Sequence, residues 1–298
     1  MFKKLLGALP LLLFLGLFIQ TNLLIASDVA FEEINAQITL FKSSTQQGLI
    51  ITDEERSVVI DPIDRKTANE IKSFLQQTNK SSVTEIIYTH SHWDRIRGGE
   101  ALKDKKTAII AQKNCEIYFS GNKNKEVVEP NIYFDESYTL KIGEEILKLH
   151  YFGPSHGECM LIAELVNAKI LFIPDLVSTK GARFPKDPTL PFLRPATLGA
   201  FFDSMQNLAN AKQIDVFISG EFNEKTFGST EIINQQKIFW GEIEAMAIIA
   251  EEKGLVDLNN FIDIEKMDLQ KIRQYENFNE KDLVNILRRY TSFFNMGR

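Results

Sequence analysis

The chain has 298 residues, 44% of them hydrophobic and 25% charged, which is typical of a globular protein. This length allows one large domain or two small ones, with a core that needs no covalent support. The formal net charge is −6 at pH 7. Because an acidic protein repels phosphate backbones, the charge argues against nucleic acid as a partner.

The first 27 residues have the order of a secretory signal peptide. Two lysines stand near the start, an apolar run occupies residues 5–19, and small residues follow at Ala26 and Ser27. We expect cleavage after Ala26 or Ser27, export to the periplasm or the medium, and no membrane contact of the mature protein. The mature chain then has 32 basic and 40 acidic side chains, a net charge of −8. The alternative is an uncleaved membrane anchor, because residues 5–26 are nearly long enough to span a bilayer.

The rest of the chain alternates between short β-branched or aromatic runs and segments with helical periodicity. A β-then-αβ layout occurs twice, which predicts an α+β fold of two mixed β-sheets flanked by helices, an αββα sandwich. We place this domain at residues 28–255 and a C-terminal helical extension at residues 256–298. The predicted strands are 37–41, 48–52, 57–61, 83–89, 107–111, 145–153, 159–165, 169–175 and 214–220. The predicted helices are 64–79, 196–212 and a helical tail from 231 onward with a break near 254–260.

Polar side chains follow several of the predicted strands at the point where each strand ends. They are His90, His92, Asp94, His156, Asp175 and Glu221. The first three alternate on a segment that we expect to be extended, so their side chains project to the same side. Imidazole and carboxylate are the usual ligands of zinc, and strand ends are rigid places to hold them. The pattern therefore predicts a metal site at one edge of the sheets.

This layout resembles the metallo-β-lactamase fold superfamily over about residues 37–250. THSHWDRIRGG, residues 89–99, is similar to the His-x-His-x-Asp-His motif of that family. GPSHGECMLIAEL is similar to the motif with the third histidine, and KILFIPDLV to the strand that supplies a bridging aspartate. The resemblance implies a metal-dependent hydrolase. It implies a first zinc site of His90, His92 and His156, with Asp94 and Asp175 contributing to a second.

Two positions depart from the family pattern, because the second site normally takes two more histidines and this chain has Arg95 and Glu221. Our hypothesis is that the Arg95 guanidinium replaces the second metal and pairs with Glu221, since guanidinium matches carboxylate geometry. In one alternative, Glu221 ligates a weaker second metal that prefers oxygen. In another, the enzyme has lost its activity.

We therefore predict a zinc-dependent hydrolase with one ion, in which metal-bound water or hydroxide attacks a small-molecule substrate. Asp94 or Asp175 would accept the proton, and Arg95 would bind an anionic substrate group or a developing oxyanion. The family also contains redox and non-catalytic members. The alternative is therefore a non-catalytic periplasmic binding or accessory protein that retains the fold.

Three further residues remain open at this stage. Cys115 and Cys159 suit an oxidising compartment and could form a disulfide, remain as buried thiols, or lie near the metal site. His150 lies inside a predicted strand, so we interpret it as a structural or surface residue.

Overall fold

The computed structural model describes residues 29–44, 46–185, 193–221, 225–257 and 261–297. The predicted signal peptide, residues 1–27, lies outside the described residues. Within the described ranges, no helix is both long enough and apolar enough to cross a membrane.

The first sheet of the described chain has seven strands that lie side by side in sequence order. Neighbouring strands run antiparallel from β1 to β4 and parallel from β4 to β7. Helical segments connect the parallel strands, because a parallel pair cannot be joined by a tight hairpin. The strands are β1 (Ala30–Glu33), β2 (Ile38–Lys42), β3 (Gln47–Thr52), β4 (Ser57–Ile60), β5 (Val83–Ile87), β6 (Ala108–Gln112) and β7 (Ile132–Phe134).

The second sheet has the order β13-β12-β11-β10-β9-β8 in the described residues. β10 and β11 form an antiparallel hairpin, and β11 and β12 are the parallel pair. The strands are β8 (Ser137–Ile142), β9 (Glu145–Tyr151), β10 (Leu161–Leu165), β11 (Ile170–Ile173), β12 (Val216–Ser219) and β13 (Phe227–Ser229).

Helices cover the outer face of each sheet. One apolar cluster fills the space between the two sheets, and two further clusters lie between a sheet and its helices. This four-layer order confirms the predicted αββα sandwich of two mixed sheets. The helices are α1 (Arg65–Gln77), α2 (Trp93–Ile96), α3 (Gly99–Leu102), α4 (Glu116–Phe119), α5 (Pro195–Lys212), α6 (Glu231–Glu252) and α7 (Glu280–Met296).

Helix α1 illustrates how the sequence pattern produces this packing. Asp64 caps the helix, because its carboxylate accepts a hydrogen bond from the Thr67 N–H at 2.8 Å. Ala68, Ile71 and Leu75 are buried on one face, as the helical period predicts. Each buried Ile or Leu side chain stabilises the fold by roughly 1.5–3 kcal/mol.

The C-terminal segment packs on the same core as the helices that precede it. Helix α7 buries Leu283, Ile286, Leu287 and Tyr290 in one cluster with residues of α5 and α6. Residues on both sides of position 255 therefore share a core, while the boundary proposed there stays a prediction.

The structure decides the role of the cysteines and of His150. Cys115 and Cys159 form a disulfide with a Cα–Cα distance of 5.2 Å, which joins the start of α4 to the segment before β10. His150 is buried in β9, and its Nε2 lies 2.6 Å from Glu164 Oε2 on β10. Its interpretation as a structural residue is consistent with this buried pair.

Candidate metal centre

The candidate site lies at the edge where the parallel strands of both sheets end. Asp61 follows β4 and His90 follows β5 in the first sheet, and Asp175 and Glu221 follow β11 and β12 in the second. Carboxyl ends of parallel strands meet at one edge, so two facing sheets bring these side chains together. His156 joins them from the loop between β9 and β10.

The three histidines of the predicted first site converge in the described part of the chain. One ring nitrogen of each residue lies within 4.8 Å of those of the other two, and His156 Nε2 is 3.2 Å from His92 Nδ1. His90 Nε2 is buried without a hydrogen-bond partner among the described residues, and it lies 3.4 Å from Asp175 Oδ2. An orphaned buried nitrogen beside two further imidazoles fits a zinc ion.

Burial keeps two of these rings in the form that binds metal. Burial lowers the pKa of His90 well below its usual value, and His92, His156 and Arg95 lower it further. Burial also lowers the pKa of His156 to about 4, although Asp175 opposes the change. Both rings are therefore neutral at pH 7, as a ligand must be.

Thr89 and Asp61, which the sequence analysis did not select, form a hydrogen-bonded chain on the Nδ1 side of the His90 ring. Thr89 Oγ1 lies 2.9 Å from His90 Nδ1 and donates a 2.6 Å hydrogen bond to Asp61 Oδ2, while the Thr89 N–H donates to Asp61 Oδ1 at 2.9 Å. Burial raises the pKa of Asp61 to about 7, and the nearby Arg95 charge opposes that rise. The sequence did carry a signal, because SVVID ends in an aspartate after an apolar strand, as FIPD does.

Arg95 is one of the most buried side chains in the described structure, with 1% exposed. Its Nη2 donates to Asp175 Oδ1 at 2.8 Å and to the Pro174 carbonyl at 2.9 Å, and its Nη1 donates to the Gly220 carbonyl at 2.5 Å. A Cβ at position 220 would lie 2.9 Å from Arg95 Nη1 and 2.5 Å from the Pro174 carbonyl oxygen. Glycine at 220 is therefore required by the close approach of the Pro174 backbone and of this guanidinium.

The charges around Arg95 explain how it is tolerated in the interior. Burial lowers its pKa, but the carboxylates of Asp175, Asp61 and Asp94 outweigh that effect and raise it. Arg95 thus ties the end of β11 to the end of β12 as a permanent cation.

Glu221 has a different partner from the one that the sequence analysis expected. Its carboxylate pairs with the guanidinium of Arg183, whereas Arg95 pairs with Asp175. Arg183 was not among the site residues selected from the sequence, but it is only 5% exposed. The Lys-Gly-Ala-Arg sequence carries no pattern that indicates burial, so this residue was missed.

Asp94 differs from expectation in its local structure. Strand β5 ends at Ile87, residues 89–91 form bends, and Trp93–Ile96 forms helix α2 with Asp94 in its first turn. The side chains of His90, His92 and Asp94 therefore do not alternate along one extended segment. The Asp94 carboxylate is exposed and accepts a hydrogen bond from the Gln46 side chain. The neighbouring Trp93 is 51% exposed, so its ring is not a packed core side chain.

The αββα sandwich carries a candidate metal site of three histidines at one edge of its sheets, and comparison with known proteins identifies its family. A sequence profile of the metallo-beta-lactamase superfamily matches residues 44–214, more than half of the chain. The chain belongs to the metallo-beta-lactamase superfamily.

Two curated relatives and many solved structures are similar to it. The metallo-beta-lactamase type 2 of Bacillus cereus is 28% identical over 137 residues, and that of Bacillus sp. (strain 170) is 28% identical over 142 residues. Each match covers 46% of this chain and 52% of the relative, so the chain spans about half the length of these curated relatives.

The solved structures support the fold. The metallo-beta-lactamase from Pontibacter korlensis superposes with a TM-score of 0.61 and 18% identity, covering 72% of this chain and 99% of that one. The DIM-1 metallo-beta-lactamase superposes with a TM-score of 0.59 and 18% identity, covering 72% and 98%. At this identity, the likeness concerns the fold alone.

Proposed function

We propose that this protein is a hydrolase with a single zinc ion held by His90, His92 and His156. The observation that carries the proposal is the convergence of three ring nitrogens within 4.8 Å, one of them buried and without a hydrogen-bond partner in the described residues. Membership of the superfamily supports it.

A zinc ion on three imidazoles supplies Lewis acidity that activates water and polarises an acyl or phosphoryl oxygen. The side chains around the zinc position would accept the proton of the attacking water and hold the ligands in place. Asp94 is exposed and has no arginine partner among its described ion pairs, so it is the residue that we assign to accept the proton from the attacking water.

Asp175 and Arg95 have positioning roles in this proposal rather than contact with the substrate. Asp175 Oδ1 accepts from Arg95, while its Oδ2 lies 3.4 Å from His90 Nε2, and Arg95 is held by Asp175 and two backbone carbonyls. A guanidinium that is 1% exposed cannot reach an anionic substrate group. This assignment replaces the expectation that Arg95 binds substrate or an oxyanion.

The substrate in this proposal is a small molecule, as the shared superfamily suggests, and export remains our interpretation of the N-terminal sequence. The relatives named metallo-beta-lactamase make β-lactams the first class to test, followed by lactones, thioesters and phosphoesters.

The test is the metal content of protein purified without chelator, measured by elemental analysis for the wild type, His156→Ala and His150→Gln. His150 is the matched control, because it is the histidine of this chain that pairs with Glu164 outside the triad. We expect one zinc per chain in the wild type and the control, and loss of zinc in His156→Ala.

A hydrolase screen on the same samples completes the test. Activity that disappears with the zinc supports the enzyme. A wild type without zinc would overturn the proposal and leave a binding protein on an inherited scaffold, and two ions would identify Glu221 as a ligand.

A further inference from the structure

Besides Arg95, a second arginine, Arg183, lies among the carboxylates that a second metal ion would need as ligands. Arg183 pairs with Glu221, and both side chains are largely withdrawn from solvent, with 6% and 23% exposed. Burial lowers the pKa of Arg183, and the charges of Glu276 and then Asp175 oppose that change. Asp175 and Glu221 are two of the carboxylates that would hold a second metal ion. Arg95 neutralises the first of them, and Arg183 neutralises the second.

The backbone of Arg183 is fixed from two directions. Its N–H donates to Gln236 Oε1 at 3.0 Å, and Gln236 Nε2 donates back to the Arg183 carbonyl at 3.0 Å. Gln236 is itself 1% exposed on helix α6. Since the loop is held before any ligand arrives, the ion pair costs little additional ordering.

The C-terminal extension holds the next residue. The Phe184 N–H donates to the Glu276 carbonyl at 3.0 Å, and the Phe184 ring packs edge-on between Phe239 and Phe278 at centroid distances of 4.9 and 5.3 Å. Arg183 and Glu276 form an isolated parallel bridge. Residues outside the 44–214 match to the superfamily profile therefore build the support of Arg183.

We propose that Arg183, positioned by helix α6 and the C-terminal extension, closes the second metal position by holding Glu221 as its ion-pair partner. The proposal rests on the proposed zinc function for the meaning of a second site. A divalent cation there would have to separate Glu221 from a buried guanidinium and lie beside that charge. Both effects disfavour binding.

The proposal also revises the hypothesis drawn from the sequence. Arg95 donates from Nη1 and Nη2 to Asp175 and to the two carbonyls at the strand ends, which makes it part of the scaffold. Arg183 is the cation that decides whether Glu221 is available as a ligand.

The experiment counts bound ions in the wild type, Arg183→Met, Arg183→Lys and the double variant Arg183→Met with Glu221→Gln. Elemental analysis gives the stoichiometry, and zinc titration against a competing chelator gives the affinities. Arg56→Met is the control, because Arg56 also forms ion pairs, with Asp53 and Glu85, but precedes β4 at the opposite edge of the sheet.

We expect Arg183→Met to bind one ion more than the wild type, with an affinity for that ion roughly 10- to 100-fold above any second-site binding of the wild type. Arg183→Lys, Arg56→Met and the double variant should keep the wild-type number. The readout is the difference between variants, so it is separate from the wild-type count that tests the proposed function.

A folded Arg183→Met with the wild-type number of ions would overturn the proposal. Circular dichroism checks the fold, because Arg183 is buried. If that variant does not fold, Glu221→Gln in the wild-type background gives the decision. An unchanged ion count supports Glu221 as a partner of arginine, and the loss of one ion contradicts it.

Discussion

The Thr89 hydroxyl joins a buried carboxylate to a ring of the proposed zinc site, so its removal should affect both stability and metal affinity. The substitution Thr89→Val removes the 2.6 Å bond to Asp61 and the 2.9 Å contact with His90 Nδ1. The bond to the Asp61 carboxyl group is charge-assisted when that group is ionised, and the contact with the neutral His90 ring is an ordinary hydrogen bond. Together they correspond to about 2–4 kcal/mol of unfolding free energy. A partner of the distal ring nitrogen fixes the orientation of the ligand, so zinc affinity should fall 10- to 100-fold, roughly the usual cost of such a loss.

The assay pairs urea unfolding with a zinc titration against a competing chelator. Thr107→Val is the matched control, because Thr107 is also buried and its hydroxyl bonds Val83 and Asp104, before the start of β6 and away from the triad. The control should lose stability and keep its zinc affinity. If Thr89→Val binds zinc as tightly as the wild type, the hydroxyl does not orient His90 and the reasoning fails.

Three further outcomes follow from the packing, the disulfide and a buried ion pair. Replacing both cysteines by serine should lower the unfolding free energy by about 4 kcal/mol, as chain entropy predicts for a separation of 44 residues, and urea unfolding with and without reductant measures it. Gly220→Ala should destabilise the fold by displacing Arg95, whereas Gly199→Ala, in open space on helix α5, should stabilise it by about 0.5–1 kcal/mol; thermal unfolding compares them. Burial lowers the pKa of His150 in spite of Glu164, so the unfolded chain binds more protons as pH falls below 6.5, and stability should drop in that range. Unfolding of the wild type and His150→Gln at several pH values tests this, and equal slopes would contradict it.

The strand pattern and the ends of the strands were readable from the sequence because both follow from local periodicity. Short β-branched runs gave the sheets, and the polar residues that end them, His90 and Asp175 among them, lie at one edge as expected. The sequence could not reveal that the strand ends at Ile87 and that Asp94 lies in a helix, since helix α2 is four residues long and has no periodicity to detect.

The ion-pair partners were not readable, for a different physical reason. Which carboxylate a guanidinium meets depends on how loops from different parts of the chain pack, and Arg183 is fixed by Gln236 and Glu276. The sequence analysis therefore placed charges of the right sign in the right region and paired Arg95 with Glu221. The structure pairs Arg95 with Asp175 and Glu221 with Arg183.

The bond from Phe184 to Glu276 also has a consequence for the order of synthesis. The two residues are far apart in sequence, so their contact closes a long loop. Such contacts form late in folding, because the chain loses the conformational entropy of loop closure before the contact stabilises it. A growing chain can assemble both sheets and bring the histidines together while Glu276 is still within the ribosome. The Arg183 loop receives its final support only when this segment docks, and a truncation before residue 276 should weaken the sandwich as well as the site, because it also removes helix α7 from the shared core.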